Sequence, residues 1–206
     1  SYRVLKKDCL DLPEKIYTSH YFDLTPGSRA AYELMESEFR INLENGDVTS
    51  VAALAAISKL QQITSGFVKH PFEDRIVYMD DNPRIEALLE VLEGVKGKVI
   101  IWAKFREEIA NISARLKLAG RKVVEYHGGV DKDEREEAID ALQTGDAEFF
   151  VAQPKAGGVG LTLTAAETTI YYSNEFSLRI RLQSEDRNHR IGTKGDVRYI
   201  DLVGND

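Results

Sequence analysis

From Lys98 to Val203 the chain alternates short apolar runs with helical patterns, and nothing else in it limits the fold as strongly. Lys98-Val-Ile-Ile-Trp-Ala103 has the length and composition of a buried strand, and Phe105–Leu118 follows with helical periodicity. Gly120 ends that helix, and Lys122-Val-Val-Glu-Tyr126 reads as a second strand. Asp131 caps a helix to about Gln143, with Glu134 as its capping-box partner and Gly145 just beyond the end. Glu148–Ala152, Thr168–Tyr172 and Val197–Val203 are a third, fourth and fifth strand. Apolar strands alternating with helices predict an α/β fold, a mainly parallel sheet covered on both faces. Ligands of such sheets bind outside the carboxyl ends of the strands, which directs attention to the loops after Trp102, Tyr126, Ala152 and Tyr172.

The first half reads differently. Pro26–Asn45 and Val48–Phe67 look like two helices separated by the turn Glu44-Asn-Gly-Asp47, and Asn82-Pro83 opens a third that closes at Gly94. A helical region is therefore expected to precede the α/β core. No internal repeat is visible.

Bulk properties narrow the function classes. The chain is 43% hydrophobic and 30% charged, with no membrane-length apolar run and no signal pattern. A lone cysteine, Cys9, excludes a disulfide framework and fits a reducing interior. Net charge of −7 argues against a uniformly basic nucleic-acid coat. The charge is unevenly spread, however: residues 131–148 hold eight acids against two bases, and residues 179–198 hold six bases against three acids. A locally basic surface can meet phosphate while an acidic face stays in solvent. The chain starts at Ser1 without a methionine and stops abruptly at Asp206, which reads as a fragment of something longer.

Two segments carry the chemistry. In Gln183-Ser-Glu-Asp-Arg187-Asn-His-Arg190-Ile-Gly192 two guanidinium groups lie three positions apart. On a helix that spacing puts Arg187 and Arg190 on one face, with Gln183 one turn earlier on the same stripe. Arginine's fixed fork of donors matches phosphate oxygens, so the pair suggests a phosphate clamp. Asp186 and Arg190, at i and i+4, would also suit an ordinary surface ion pair. The second segment, Gln153-Pro-Lys155-Ala-Gly-Gly158-Val-Gly160-Leu-Thr162-Leu-Thr164, follows the third strand. Its glycines either let backbone N–H groups approach phosphate or make a tight turn. It is not a P-loop, because Lys155 precedes the glycines, and Leu163 occupies the place of a dinucleotide loop's last glycine. Asp133-Glu-Arg-Glu136 resembles an acidic magnesium box but lacks the strand leading into it, so it reads as the solvated first turn of a helix. His20, His70, His127 and His189 have no ligand-like spacing, and no metal site is expected.

Together these segments resemble the C-terminal half of the motor in Swi/Snf-type DNA translocases of helicase superfamily two. The resembling pieces are Lys98–Phe105, Tyr126-His-Gly-Gly129 with Arg135, Lys155–Ala166 and Gln183–Gly192. Weaker ones recur upstream in the family's order: Leu12-Pro-Glu-Lys15, Leu24-Thr-Pro26, Leu60-Gln-Gln-Ile63 and Asn82–Leu88. The resemblance covers nearly the whole chain and implies a RecA-like three-layer parallel sheet with an appended N-terminal helical region. It divides the chain into an inter-lobe connector at 1–23 and a helicase C-terminal lobe at 24–206, with a helical insertion at about 26–72. It implies ATP with magnesium held mainly by a first lobe missing from this chain, and Arg187 and Arg190 as arginine fingers reaching to that ATP. Gly158, Gly160, Gln183 and Asp186 would line or organise the nucleotide side, and Lys104, His127, Lys155, Thr162 and Thr164 would contact double-stranded DNA. The implied partners are that DNA and the N-terminal RecA-like lobe of the same parent, with no membrane. The location is intracellular: cytoplasm or nucleoid for a bacterial or viral source, nucleus for a eukaryotic one.

Departures from the family are specific. Ser173-Asn-Glu-Phe-Ser177 replaces a proline–tryptophan-rich stretch, Thr193 stands where glutamine commonly closes the last motif, and Gln153-Pro154 replaces a serine-containing pair. These point to a bacterial or viral branch. No G-x-x-x-x-G-K-[ST] occurs, so the first lobe is not expected within this chain. Two other functions share the same fold: a non-catalytic nucleic-acid-binding or regulatory module, and a lobe of a strand-unwinding RNA or DNA helicase.

Overall fold

The computed structural model describes residues 12–46, 49–70, 73, 75–156 and 161–205. Two compact units emerge, one formed by Ser1–Ser19 with Gly94–Asp201 and the other by His20–Glu93 with Leu202–Asp206.

The first unit is built on a sheet. The sheet's strands are β1 (Lys15–Asp23), β4 (Lys98–Trp102), β5 (Val123–Tyr126), β6 (Phe149–Ala152), β7 (Ala166–Tyr171) and β8 (Val197–Asn205), ordered β1-β8-β7-β4-β6-β5, with β1 counted in this unit to Ser19 and β8 to Asp201. The five strands expected from the alternation are all present, and the pairs β5–β6, β6–β4, β4–β7 and β7–β8 are parallel. β4 is central, and Val99, Ile100, Ile101 and Trp102 are each at most 1% exposed. Consecutive apolar residues buried to that extent require cover on both faces. That cover comes from α4 (Arg106–Leu118) and α5 (Lys132–Gln143). The chain passes β4–α4–β5 and returns β5–α5–β6, and right-handed crossovers in opposite directions put the two helices on opposite faces. Ala138 and Leu142 of α5 accordingly join one cluster with Ile100, Trp102, Tyr126, Phe150, Leu161 and Leu163. Ile109, Ile112 and Leu116 of α4 are buried too.

The helix ends follow local chemistry. Asp131 accepts from the Asp133 N–H at 3.0 Å, and Glu134 reaches back to the Asp131 N–H at 3.4 Å. At the end of α4, Gly120 has φ +75° while the Arg121 N–H bonds the Leu116 carbonyl at 3.0 Å, a closure that needs a left-handed residue at the glycine. β1 had no sequence signal of its own: its residues are of mixed polarity without alternation, and only Phe22 is buried.

In the second unit α1 (Pro26–Glu44) and α2 (Ser50–Thr64) pack on each other, capped by Thr25 and Thr49, and α3 (Pro83–Glu93) follows. The sequence pattern carried the second helix to Phe67, but it stops at Thr64, and Phe67 begins β2 (Phe67–Lys69). β2 pairs antiparallel with β3 (Ile76–Tyr78), a hairpin too short to show a period of its own. Buried Arg84 ties α3 to the end of α2, donating to Thr64 Oγ1 at 2.9 Å and Ser65 Oγ at 3.0 Å. Among the described residues no helix is long and apolar enough to cross a membrane.

Candidate nucleotide and nucleic-acid site

After β7 the chain enters α6 (Leu178–Glu185), started by Ser177, whose hydroxyl accepts from the Ile180 N–H. Sequence spacing put Gln183, Arg187 and Arg190 on one helical stripe. That expectation is corrected: α6 ends at Glu185, and both arginines lie in the turns that follow, while Gln183 sits exposed on the helix. Side chains compete for the backbone here. The Arg190 N–H bonds Thr193 Oγ1 at 3.2 Å instead of continuing the helical ladder, and Thr193 Oγ1 also bonds the Asn188 carbonyl at 2.5 Å. Gly192, with φ +102°, then lets the chain leave the turn.

Two buried residues between the arginines pin this turn. Asn188, 0% exposed, donates to the Ala166 carbonyl at 3.2 Å and Thr169 Oγ1 at 3.0 Å, and accepts from Tyr199 OH at 3.1 Å. His189 bonds the Pro13 carbonyl through Nε2 at 2.8 Å. The residues around them stay partly accessible, with Asp186, Arg187 and Arg190 each half-buried. The Leu163 N–H bonds the Arg187 carbonyl at 2.9 Å, and Arg190 Nη1 donates to Thr162 Oγ1 at 2.9 Å. The segment that follows the glycine loop therefore runs directly against the arginine turn. Burial lowers the proton affinity of Arg187, and the like charge of Arg190 adds to it against Tyr126 and Asp186; the guanidinium remains charged at neutral pH. Two cations held this close form a ready site for a polyanion.

A second cluster occupies the carboxyl ends of β4 and β6. The Lys104 N–H bonds Ser173 Oγ at 2.8 Å, and Ser173 Oγ donates to Glu108 Oε2 at 2.6 Å. Gln153 Nε2 donates to the Lys104 carbonyl at 2.9 Å. The Lys104 ammonium lies over Phe105 and Phe176, at 4.9 and 5.3 Å from their ring centroids. Burial lowers its pKa and Lys155 pushes the same way, while Glu175 and Glu108 oppose. Exposed Lys155 pairs with Glu175 at 2.9 Å. His127 stands at the end of β5, where its Nδ1 accepts from the Gly129 N–H at 3.0 Å and its Nε2 lies 3.5 Å from Glu125.

Of the residues singled out in the sequence, the structure thus gathers Arg187, Arg190 and Thr162 in one place and Lys104 with Lys155 in another. His127 lies along the same edge, one strand from Lys155 and two from Lys104. Thr164 joins neither group: it accepts from Gln143 Nε2 at 3.3 Å and, at the amino ends of β4 and β7, lines an open cavity of about 550 Å³ with Gly192, Lys98 and Lys194. Gly158, Gly160 and Cys9 lie outside the described residues. Sequence reasoning passed over Asn188 and Glu185, which hold the turn, and Glu175 and Phe176, which border the lysines. Asn188 and His189 did carry a signal, being uncharged polar residues between two arginines. Among the described residues no group of three or more His, Cys, Asp or Glu could hold a metal ion.

Comparison with known proteins agrees with this architecture. Residues 83–192 match the helicase conserved C-terminal domain. The transcription regulatory protein SNF2 of Saccharomyces cerevisiae is 26% identical over 98% of this chain and 13% of the yeast protein. An uncharacterized ATP-dependent helicase of Mycoplasma pneumoniae is 27% identical over 98% of this chain and 20% of its own length. The chain thus spans a fifth or less of these curated relatives. The Sulfolobus solfataricus SWI2/SNF2 ATPase core, solved in complex with double-stranded DNA, superposes with a TM-score of 0.72 at 24% identity, over 97% of this chain and 43% of that one. The six-stranded sheet flanked by helices is the RecA-like fold of that core's C-terminal lobe. By domain match, relatives and fold, this chain belongs to the helicase conserved C-terminal domain family and is a Snf2-type C-terminal lobe of helicase superfamily two.

Proposed function

We propose that the chain is the second motor lobe of an ATP-dependent translocase on double-stranded DNA, and that Arg187 and Arg190 act as arginine fingers toward ATP bound on a first lobe. The observation that carries this reading is the turn itself. Its two arginines remain partly accessible while the residues between them are buried and hydrogen-bonded, which is how a cation is fixed in advance of the charge it must meet. When bound, ATP with its magnesium supplies the terminal phosphoryl group. The guanidinium of Arg187 and that of Arg190, the latter steadied by Thr162, would stabilise charge on its oxygens as the bond to the leaving group breaks. Gln183 and Asp186 are assigned to organise this face and the magnesium ligands to the first lobe, so this chain alone is expected not to hydrolyse ATP.

Lys104, Lys155 and His127 are assigned to the phosphate backbone of DNA, where such contacts track a duplex without reading its sequence. The Mycoplasma relative's description as an ATP-dependent helicase and the Sulfolobus neighbour's complex with double-stranded DNA support this assignment. DNA-stimulated ATP hydrolysis by the complete parent protein tests it. Arg187→Ala and Arg190→Ala should each lower turnover by about 10³-fold or more. Near-normal turnover in both variants would overturn the assignment.

A further inference from the structure

The residues on either side of Arg187 make polar contacts that the proposed chemistry does not use, and Glu185 and His189 both reach one short segment. Glu185, 3% exposed, is the last residue of α6. Its Oε2 accepts from Lys15 Nζ at 2.9 Å and from Tyr17 OH at 2.8 Å, while Oε1 accepts from Arg181 Nε at 2.9 Å. Burial pushes the Glu185 carboxyl up, and the bonds from Lys15, Tyr17 and Arg181 more than offset it, leaving it below the ordinary carboxylate range. Its backbone carbonyl accepts from the His189 N–H and from Tyr199 OH, each at 3.1 Å. His189 then binds the Pro13 carbonyl; a carbonyl only accepts, so Nε2 carries the proton. Among the described residues its Nδ1 is buried without a hydrogen-bond partner, so there the ring is held by the Nε2 bond.

Pro13–Tyr17 is itself fixed. The Glu14 carbonyl accepts from the Val197 N–H at 2.9 Å, the Glu14 N–H donates to Asp196 Oδ1 at 3.0 Å, and the Tyr17 ring stacks on Tyr199 at 5.2 Å. A buried carboxylate that loses a partner keeps its desolvation cost with less to offset it, so these contacts resist slippage more than surface pairs do.

We propose that Pro13, Lys15 and Tyr17, acting through His189 and Glu185, are positioning residues for the arginine fingers, so that the segment expected to join the two lobes sets where Arg187 and Arg190 stand. This rests on the function proposed above. None of these residues touches nucleotide in this scheme; a shift of about 1 Å at the arginines is enough to cost on the order of 100-fold in turnover.

The test uses the complete parent protein, with ATP and double-stranded DNA. Lys15→Met and His189→Leu should each lower kcat by about 10-fold to 100-fold, with KM for ATP and affinity for DNA within about threefold of the parent. His189→Gln, which keeps a donor near the Nε2 position, should restore most of the loss. Tyr17→Phe removes a single hydroxyl, and a smaller fall in kcat is expected should a larger change prevent folding. Unchanged kcat in Lys15→Met, His189→Leu and Tyr17→Phe, with Arg187→Ala and Arg190→Ala still inactive, overturns the tie and leaves the function standing. A rise in KM matching the fall in kcat overturns it also, by indicating direct nucleotide contact. Full activity in the arginine variants removes the function first.

Discussion

Arg187 and Arg190 flank residues buried on β7, β8 and the Pro13 carbonyl, whereas Lys155 extends from a loop as an exposed side chain paired with Glu175. Both places concentrate positive charge, and their construction differs with the job proposed for each. A transferring phosphoryl group occupies one position, and a cation meeting it helps only when already there. A duplex offers a phosphate every few ångströms, so a lysine that trades one oxygen partner for another loses little. Lys104 lies between these extremes, its backbone fixed by Ser173 and Gln153 and its ammonium resting on Phe105 and Phe176.

This contrast predicts a graded set of outcomes. Truncating Arg187 or Arg190 stands at the top, with its thousand-fold loss of turnover, and the connector contacts follow one to two orders lower. Next comes Asn188→Ala, which removes an amide that bonds Thr169, Tyr199 and the Ala166 carbonyl. It should lower unfolding stability by about 2–4 kcal/mol in denaturant titration of this chain. A loss well under 1 kcal/mol would show that the turn is not held as described. Lys155→Ala should leave stability alone and reduce the slope of log binding constant against log salt by about 0.9 for duplex DNA. An unaltered slope would detach Lys155 from the backbone contacts. The smallest effect concerns pH. Burial, followed by the bond and charge of Glu185, raises the Tyr17 pKa to about 12 from an ordinary 10.0. A raised pKa means that the folded state holds the proton longer, so this contribution is whole below pH 10 and is lost as pH rises through 12. Melting temperatures between pH 9 and pH 12 should fall less steeply in Tyr17→Phe than in the parent chain.

How far the sequence was legible varied with distance along the chain. The strands and helices of residues 98–203 could be read because each apolar run, cap and terminating glycine is a local signal, and the Asp131–Glu134 cap and the Gly120 closure formed as read. β1 and the β2–β3 hairpin gave no such signal. β1 is a nine-residue edge strand of mixed polarity, and each hairpin strand has three residues. In the candidate site, arginine spacing drew attention to ten residues but suggested the wrong backbone, since Thr193 Oγ1 takes the Arg190 N–H and bonds the Asn188 carbonyl in place of the helical ladder. Thr162 and Thr164 looked equivalent in the sequence, yet one meets Arg190 and the other Gln143. Two residues apart in a segment that crosses a sheet face, they meet different neighbours.

The sequence by itself determined the α/β class, the order of strands and helices along the chain from Lys98 onward, and the two segments proposed to meet phosphate. All of these depend on contacts between near neighbours in the chain. The tertiary structure alone decided that α6 stops before the arginines, that Asn188 and His189 are buried while the arginines keep partial exposure, and that Glu185 gathers Lys15 and Tyr17 from about 170 residues away. Those outcomes depend on which strands lie side by side, and the order β1-β8-β7-β4-β6-β5 sets β1 beside β8 where no local pattern records it.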